Sequence, residues 1–409
     1  MKSLHFTGIG GAGMAPLAEL SLAKSFRISG SDESDSAKIF HLRTLGAKIS
    51  IGHRAENLPG DASLLVYSSA VPESNCERKR AAELNIPQMR RGEYLAELSK
   101  TYRRCVSVTG THGKSSITAA LVMILRKCGY DPGFIIGAEV DGLPSCASGD
   151  GDIFVTEADE SDGTHTLLKN FLAVIPNIED DHEWSLGGTE KLNENFRTVA
   201  RNSRNILYYD SEKCDLLLGN HPAATVLKDI PEIFAALHGF QAANARIAAE
   251  AAVLLGCDRI KAYQAAADYP RVSRRMTIHK ASEDLVVIED YAHHPTEVRA
   301  ALEFLRKNYP DAHLRVLFQP HRFARLEKYF DEFSRVLQLA DSVFIAPVFA
   351  AWSETGNVNA EKLADSAGGK AVNGSFFEQA GIIKANLPSG KNVIAILGAG
   401  DVNKVIEFL

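Results

Sequence analysis

Three times along this chain a strand-like run leads straight into a turn built for anions or polar chemistry. Between these points strand-like runs alternate with amphipathic stretches of helix length. That alternation leaves little besides layered α/β units on mostly parallel sheets. The restarts are Leu4–Thr7 into Gly8, Cys105–Thr109 into Gly110, and Leu285–Glu289 into Asp290 and a histidine pair. Arg315–Phe318, Ser342–Ile345 and Val393–Leu397 read as further strands of the third unit. Boundaries are expected near residues 101 and 271, giving segments 1–101, 102–271 and 272–409. A chain of 409 residues is in any case too long for a single core. The stretch 210–236 carries only short, mixed signals.

Bulk properties narrow the partners. A hydrophobic content of 45% with 23% charged residues is that of a soluble globular protein. The formal net charge of −6 offers no basic field for nucleic acid or an anionic membrane, so an anionic substrate needs local positive sites. Six scattered cysteines without a C-x-x-C pair suggest buried thiols in a reducing compartment. The start, MKSLHFTGIGG, runs into a strand and lacks a signal-peptide layout, and no apolar run reaches membrane-spanning length. A cytoplasmic monomer or homodimer is expected.

Gly8-Ile9-Gly10-Gly11-Ala12-Gly13 fits G-x-G-x-x-G between a strand and a helix, and Asp32 falls where a ribose-binding acid would end the second strand. Glycines let the backbone approach a diphosphate, and a helix N-terminus favours its charge. Alone this motif says nicotinamide or flavin dinucleotide; it establishes a nucleotide diphosphate site without naming the nucleotide. A purely structural turn would not need three glycines and the acid together.

Thr109-Gly110-Thr111-His112-Gly113-Lys114-Ser115-Ser116 follows a second strand and precedes the helix expected over Ile117–Lys127. A strict phosphate loop would have glycine where Val108 stands, so the match is to a shorter variant. Its chemistry is intact: an anion nest of backbone N–H groups, Lys114 for β- and γ-phosphates, and Ser115 for Mg²⁺. An exposed lysine in a turn is the bland alternative, and the strand–loop–helix placement argues against it. Ile153–Asp162 is a strand ending in four carboxylates, which repel unless a cation offsets them. Glu157 is the best single metal ligand. Asp159 and Glu160 could equally be solvated turn residues or helix caps. A strand over Ala173–Pro176 runs into Asn177–His182, whose histidine is either a core residue or a metal or phosphate group.

Taken together, these residues resemble the Mur ligase family of peptidoglycan synthesis. The central signatures are Thr109–Ser115, Glu157–Asp162 and Asn177–His182, in that order. Gly8–Met14, Ser29–Asp32, Ser68–Val71, Asp290–Glu297 and Phe318–Arg322 extend the likeness over nearly the whole chain. The resemblance implies a Rossmann-like N-terminal domain, a central P-loop ATPase-like domain with a mostly parallel sheet, and a Rossmann-like C-terminal domain. It implies an ATP-dependent ligase joining an amino acid, L-alanine first among candidates, to the lactyl carboxylate of UDP-N-acetylmuramate.

By the same resemblance Gly8, Gly10, Gly11, Gly13, Asp32, Ser69 and Ser161 would hold the sugar nucleotide. Gly110, Thr111, His112, Gly113, Lys114, Ser115, Ser116, Asn244, Arg275 and Asp290 would hold ATP. Ser115, Glu157 and His182 would ligate Mg²⁺. Tyr291, His293, His321, Arg322 and Arg325 would hold the amino acid and phosphates, with Lys114, His293 and Arg322 catalytic. Physics adds its own argument for the arginines. If Pro320 opens a helix, His321, Arg322 and Arg325 share one face, and arginine's fork suits carboxylate or phosphate.

The chain departs from the family in a shortened region between His182 and Asn244, in His238–Ala243 before the adenine contact, and in a tryptophan at 352. Competing possibilities are a ligase that adds a tripeptide to the same sugar, an NAD-dependent oxidoreductase, and a non-catalytic nucleotide-sugar binder. The oxidoreductase leaves the Lys114 loop without a purpose.

Overall fold

A computed structural model describes residues 2–181, 186–237, 240–351 and 356–409. Its strands form three sheets of five, seven and six strands among these residues. The first holds β1 (Ser3–Thr7), β2 (Arg27–Asp32), β3 (Lys48–Ile51), β4 (Leu64–Tyr67) and β5 (Gln88–Arg90). The second holds β6 (Arg104–Val108), β7 (Gly133–Ile135), β8 (Cys146–Ala147), β9 (Ile153–Glu157), β10 (Asn170–Ile175), β11 (Ser203–Tyr209) and β12 (Ala224–Leu227). The third holds β13 (Thr277–Ala281), β14 (Leu285–Asp290), β15 (His313–Phe318), β16 (Ser342–Ile345), β17 (Lys370–Ala371) and β18 (Asn392–Leu397). The stretch 210–236, ambiguous in sequence, supplies the helix Glu212–Leu218, strand β12 and a short turn of helix at Glu232–Phe234.

Strand order explains where the glycine loops lie. The first sheet reads β3-β2-β1-β4-β5, and all its pairs are parallel. The second reads β12-β11-β10-β6-β9-β7-β8, parallel except for β7 with β8. In each, the chain first builds to one side of its opening strand and then crosses to the other. The crevice opened by such a reversal lies beyond the carboxyl ends of the strands, where nucleotides bind. Both glycine loops leave their sheets there, after β1 and after β6. The third sheet, β13-β14-β18-β15-β16-β17, is parallel apart from the β13–β14 pair.

Sheets covered on both faces bury their central strands along the whole length. All five residues of β1 and all six of β18 are accordingly buried. The helix Lys114–Lys127 buries Ile117, Leu121, Val122, Ile124 and Leu125, so the second loop rests on one of the most buried helices. Ser36, Ser211, Asp258, Asn359 and Ser375 cap helix N-termini with their side chains, at about 1 kcal/mol each. The chain divides into two compact units, 1–236 with 242–270, and 237–241 with 271–409. The first two sheets thus belong to one unit. No helix among the described residues is long and apolar enough to cross a membrane.

Candidate active site

The first loop is braced by backbone and by two carboxylates. Gly8 adopts φ +78°, and the N–H groups of Gly8 and Ile9 donate to Ser31 O at 2.8 and 3.0 Å. Glycine is required at position 30, where a Cβ would lie 2.6 Å from the Phe6 carbonyl oxygen. Asp32 stands at the end of β2, but its Oδ2 already accepts the Gly10 N–H at 2.8 Å. The expected ribose acid therefore spends one oxygen on holding the loop in shape. Ser69 is exposed, and the turn it shares with Ser68 packs over Gly8.

Beneath this loop lies a carboxylate that sequence reasoning missed. Glu77 is wholly buried. It accepts hydrogen bonds from Thr7 Oγ1 (2.8 Å), Ser31 Oγ (2.7 Å) and Asn57 Nδ2 (2.9 Å), with His5 Nε2 at 3.2 Å. Burial pushes its carboxyl up, but bonds to His5, Ser31, Asn57 and Thr7 outweigh that and hold it down at about 2. Its surroundings, Cys76-Glu77-Arg78-Lys79-Arg80, look like an exposed helix start, so nothing local in the sequence betrays its role.

The second loop is pinned by Asn177. Its carbonyl accepts the Thr111 N–H at 3.2 Å, and its Oδ1 accepts the His112 N–H at 2.8 Å. Gly110 (φ +118°) and Gly113 (φ +85°) are glycines by necessity. A Cβ at 110 would meet Asn177 O at 2.6 Å, and one at 113 would meet Asn244 Oδ1 at 2.8 Å. Asn244, the expected adenine contact, thus borders the phosphate loop directly. The helix opens at Lys114, earlier than expected, with Ser116 buried in its first turn.

Lys114 Nζ donates to Glu160 at 2.8 and 3.1 Å and to Gly110 O at 2.7 Å. Glu160 is 1% exposed, so it is no solvated turn residue. Burial raises its carboxyl and would lower the Lys114 ammonium; the charges of Glu160 and Asp159 nevertheless keep the ammonium above its ordinary value. Asp159 is exposed and accepts the Ser161 N–H at 2.9 Å in a local turn. Ser115 Oγ donates to Glu157 Oε2 at 2.8 Å, and the Gly137 N–H donates to the other oxygen. Burial pushes the Glu157 carboxyl up. A hydroxyl and a poorly solvated carboxylate side by side are hard oxygen donors of the kind magnesium takes. His182, the third expected ligand, lies outside the described residues, as do residues 238, 239 and 352.

His165, also missed, is fully buried, and neither ring nitrogen has a hydrogen-bond partner among the described residues. It packs on Phe196 with ring centroids 5.3 Å apart. Burial lowers its pKa to about 4.

The second unit carries the remaining expected residues. Asp290 ends β14, its carboxylate accepting the Met276 and Ala292 N–H groups, each at 2.8 Å. Burial raises it to about 6 against the opposing pull of Arg275. The Tyr291 ring lies beneath the guanidinium of Arg275, 5.1 Å from its centroid. His293 Nδ1 sits 3.0 Å from Tyr291 O and 3.2 Å from Glu297, and burial, against the pull of Glu297, drives its pKa well below the ordinary value. The His293 and His321 rings approach to 5.8 Å, and His321 stacks on Phe349.

One expectation here fails. Pro320 does not open a helix; the helix begins at Phe323. Residues 320–322 pair instead with Phe349, through Phe349 N–H to Pro320 O and Arg322 N–H to Phe349 O, both 2.8 Å. Arg322 turns the chain at φ +70°, a strained conformation of the sort found at binding sites. Arg325 still reaches His321, its Nη1 3.0 Å from the carbonyl oxygen.

Comparison with known proteins agrees with this geometry. The model for the Mur ligase family catalytic domain matches residues 3–103, and that for the Mur ligase glutamate ligase domain matches residues 274–401. The chain is 34% identical to UDP-N-acetylmuramate–L-alanine ligase of Sulfurihydrogenibium sp., covering 100% of this chain and 97% of that one. It is 33% identical to the enzyme of the same name from Persephonella marina, covering 100% and 96%. The crystal structure of UDP-N-acetylmuramate-alanine ligase from Thermotoga maritima superimposes with a TM-score of 0.80 at 24% identity, covering 100% of this chain and 99% of that one. Three sheets, two nucleotide-type loops and full-length similarity place the chain in the Mur ligase family.

Proposed function

We propose that this protein is an ATP-dependent ligase that joins L-alanine to the lactyl carboxylate of UDP-N-acetylmuramate. We assign the first sheet, to about residue 101, to the sugar nucleotide, the second to ATP, and the third, from about residue 272, to the amino acid. One observation carries the proposal: a single compact unit holds two anion cradles, each at the strand reversal of its own sheet, and only one contains a phosphate-loop lysine. A dehydrogenase needs one such loop; an enzyme that activates a nucleotide-linked acid needs two.

A lactyl carboxylate oxygen attacks the γ-phosphorus of ATP, a P–O bond forms, and the bond to the β-phosphate oxygen breaks to release ADP. Lys114 exchanges Glu160 for the β- and γ-oxygens and offsets charge on the transferring group. Ser115 and Glu157 would hold magnesium, which when bound neutralises part of the triphosphate charge. The amine of alanine then attacks the acyl carbon, the C–N bond forms, and inorganic phosphate leaves. His293, its Nδ1 3.2 Å from Glu297, is the group we assign to take the ammonium proton. Arg322 and Arg325 would hold the alanine carboxylate beside Tyr291 and His321.

The test is product formation from UDP-N-acetylmuramate and ATP across L-alanine, L-serine, glycine and a murein tripeptide, read by mass spectrometry. The alanyl product should dominate. A preference for the tripeptide, or no product from any of them, would reject the assignment.

A further inference from the structure

The first cradle has no cation of its own. None of residues 8–13, 29–32 or 68–71 is lysine, arginine or histidine, and the one charged group among them, Asp32, would repel a diphosphate. One guanidinium nevertheless lies on this loop. Arg91 opens the helix Arg91–Ser99, and a Cβ at Gly13 would sit 2.9 Å from its Cδ and 3.1 Å from its Nη1. The glycine at 13 thus makes room for an arginine as well as for a ligand.

Arg91 is not idle. Its Nη2 donates to Asp162 Oδ2 at 2.5 Å and to Thr164 Oγ1 at 3.2 Å. Both partners belong to the loop after β9, the same loop whose Glu160 holds Lys114. Side-chain exposures of 22% for Arg91 and 27% for Asp162 leave the pair partly open to solvent. Asp162 is held in place by accepting the Thr164 N–H at 3.0 Å. Asp162 Oδ2 thus gives the guanidinium an anionic oxygen acceptor, the kind of partner a phosphate oxygen also offers.

The geometry points to Arg91 as the cation of the sugar-nucleotide cradle, with Asp162 as the anion it holds until a nucleoside diphosphate takes its place. The inference rests on the nucleotide-diphosphate reading of the Gly8–Gly13 loop, but not on which sugar or amino acid is used. Each cradle would then follow one rule, a cation kept paired by a carboxylate of the same loop until phosphate arrives.

Opposite signs from the two partners separate this role from a structural one. UDP and UDP-N-acetylmuramate are titrated calorimetrically into the full chain, the Arg91→Ala and Arg91→Lys variants, and Asp162→Asn. Arg91→Ala should weaken UDP tenfold or more, with Arg91→Lys intermediate. Asp162→Asn, which removes the resident competitor, should bind UDP at least as tightly as the unsubstituted protein. ADP titration reports that each variant is folded. If Arg91→Ala binds UDP within twofold, or if Arg91→Ala and Asp162→Asn weaken it alike, the role is refuted. Unsubstituted protein that binds UDP but makes no alanyl product would sink the ligase assignment and leave Arg91's role standing. Protein that binds neither ligand would overturn both.

Discussion

The two anion cradles of the first unit differ in what their glycine loops themselves contain. The Gly8–Gly13 loop is shaped from beneath by carboxylates, Asp32 on Gly10 and Glu77 through Ser31, and carries no charge of its own. The Gly110–Ser115 loop contains its cation, and a buried glutamate pairs with Lys114. A loop made only of backbone brings no charge that needs a partner. A loop with a half-buried ammonium does, because an unpaired charge there is expensive. In this chain the loop's lysine and its carboxylate partner form one unit, in which Glu160 belongs as much as Lys114.

That contrast can be broken most sharply by removing the cation. Lys114→Ala should lower ATP-dependent phosphate release on the order of a thousandfold, from lost stabilisation of the transferring group; a loss under tenfold would mean the lysine is not at the phosphates. The bracing of the first loop is tested by Glu77→Gln. The folded-state pKa of about 2 lies below the ordinary 4.5, so its stabilisation is present above about pH 4.5 and is lost as pH falls through 2. The difference amounts to about 3 kcal/mol, and urea unfolding of the variant at pH 7 should show a deficit of that order. An unchanged midpoint would mean the network contributes little.

Glu160→Gln leaves Lys114 without its counter-ion. We expect a loss of about 2 kcal/mol, discounted from the fully buried case because the lysine keeps some solvent contact. Mg-ATP should restore more thermal stability to this variant than to the parent, and equal ligand-induced shifts would contradict the parking role.

The smallest effect at neutral pH concerns His165. Its folded pKa, about 4, lies below the unfolded value of 6.5, so the unfolded chain binds the proton first and stability falls as pH drops from 6.5 to 4. His165→Phe should lose about 2 kcal/mol less than the parent between pH 7 and 5. Identical pH profiles would show the imidazole to be protonated or paired in the native protein.

What was legible in the sequence follows from range. Strands after which a glycine loop must come, at Gly8 and Gly110, announce themselves locally, and the pairing of Ser115 with Glu157 could be anticipated from chemistry. Glu160 was visible only as one acid among four, because its burial depends on where Lys114 lands. Glu77 was invisible, since its partners lie 20 to 72 residues away. The helix expected from Pro320 failed for the same reason: residues 320–322 found a strand-like partner in Phe349, which no local signal predicts.

The most direct test measures both cradles in one variant. Binding of Mg-ATP and of UDP-N-acetylmuramate to folded Lys114→Ala should split, with ATP affinity lost and sugar-nucleotide affinity unchanged. Retention of both, or loss of both, would contradict two separate cradles.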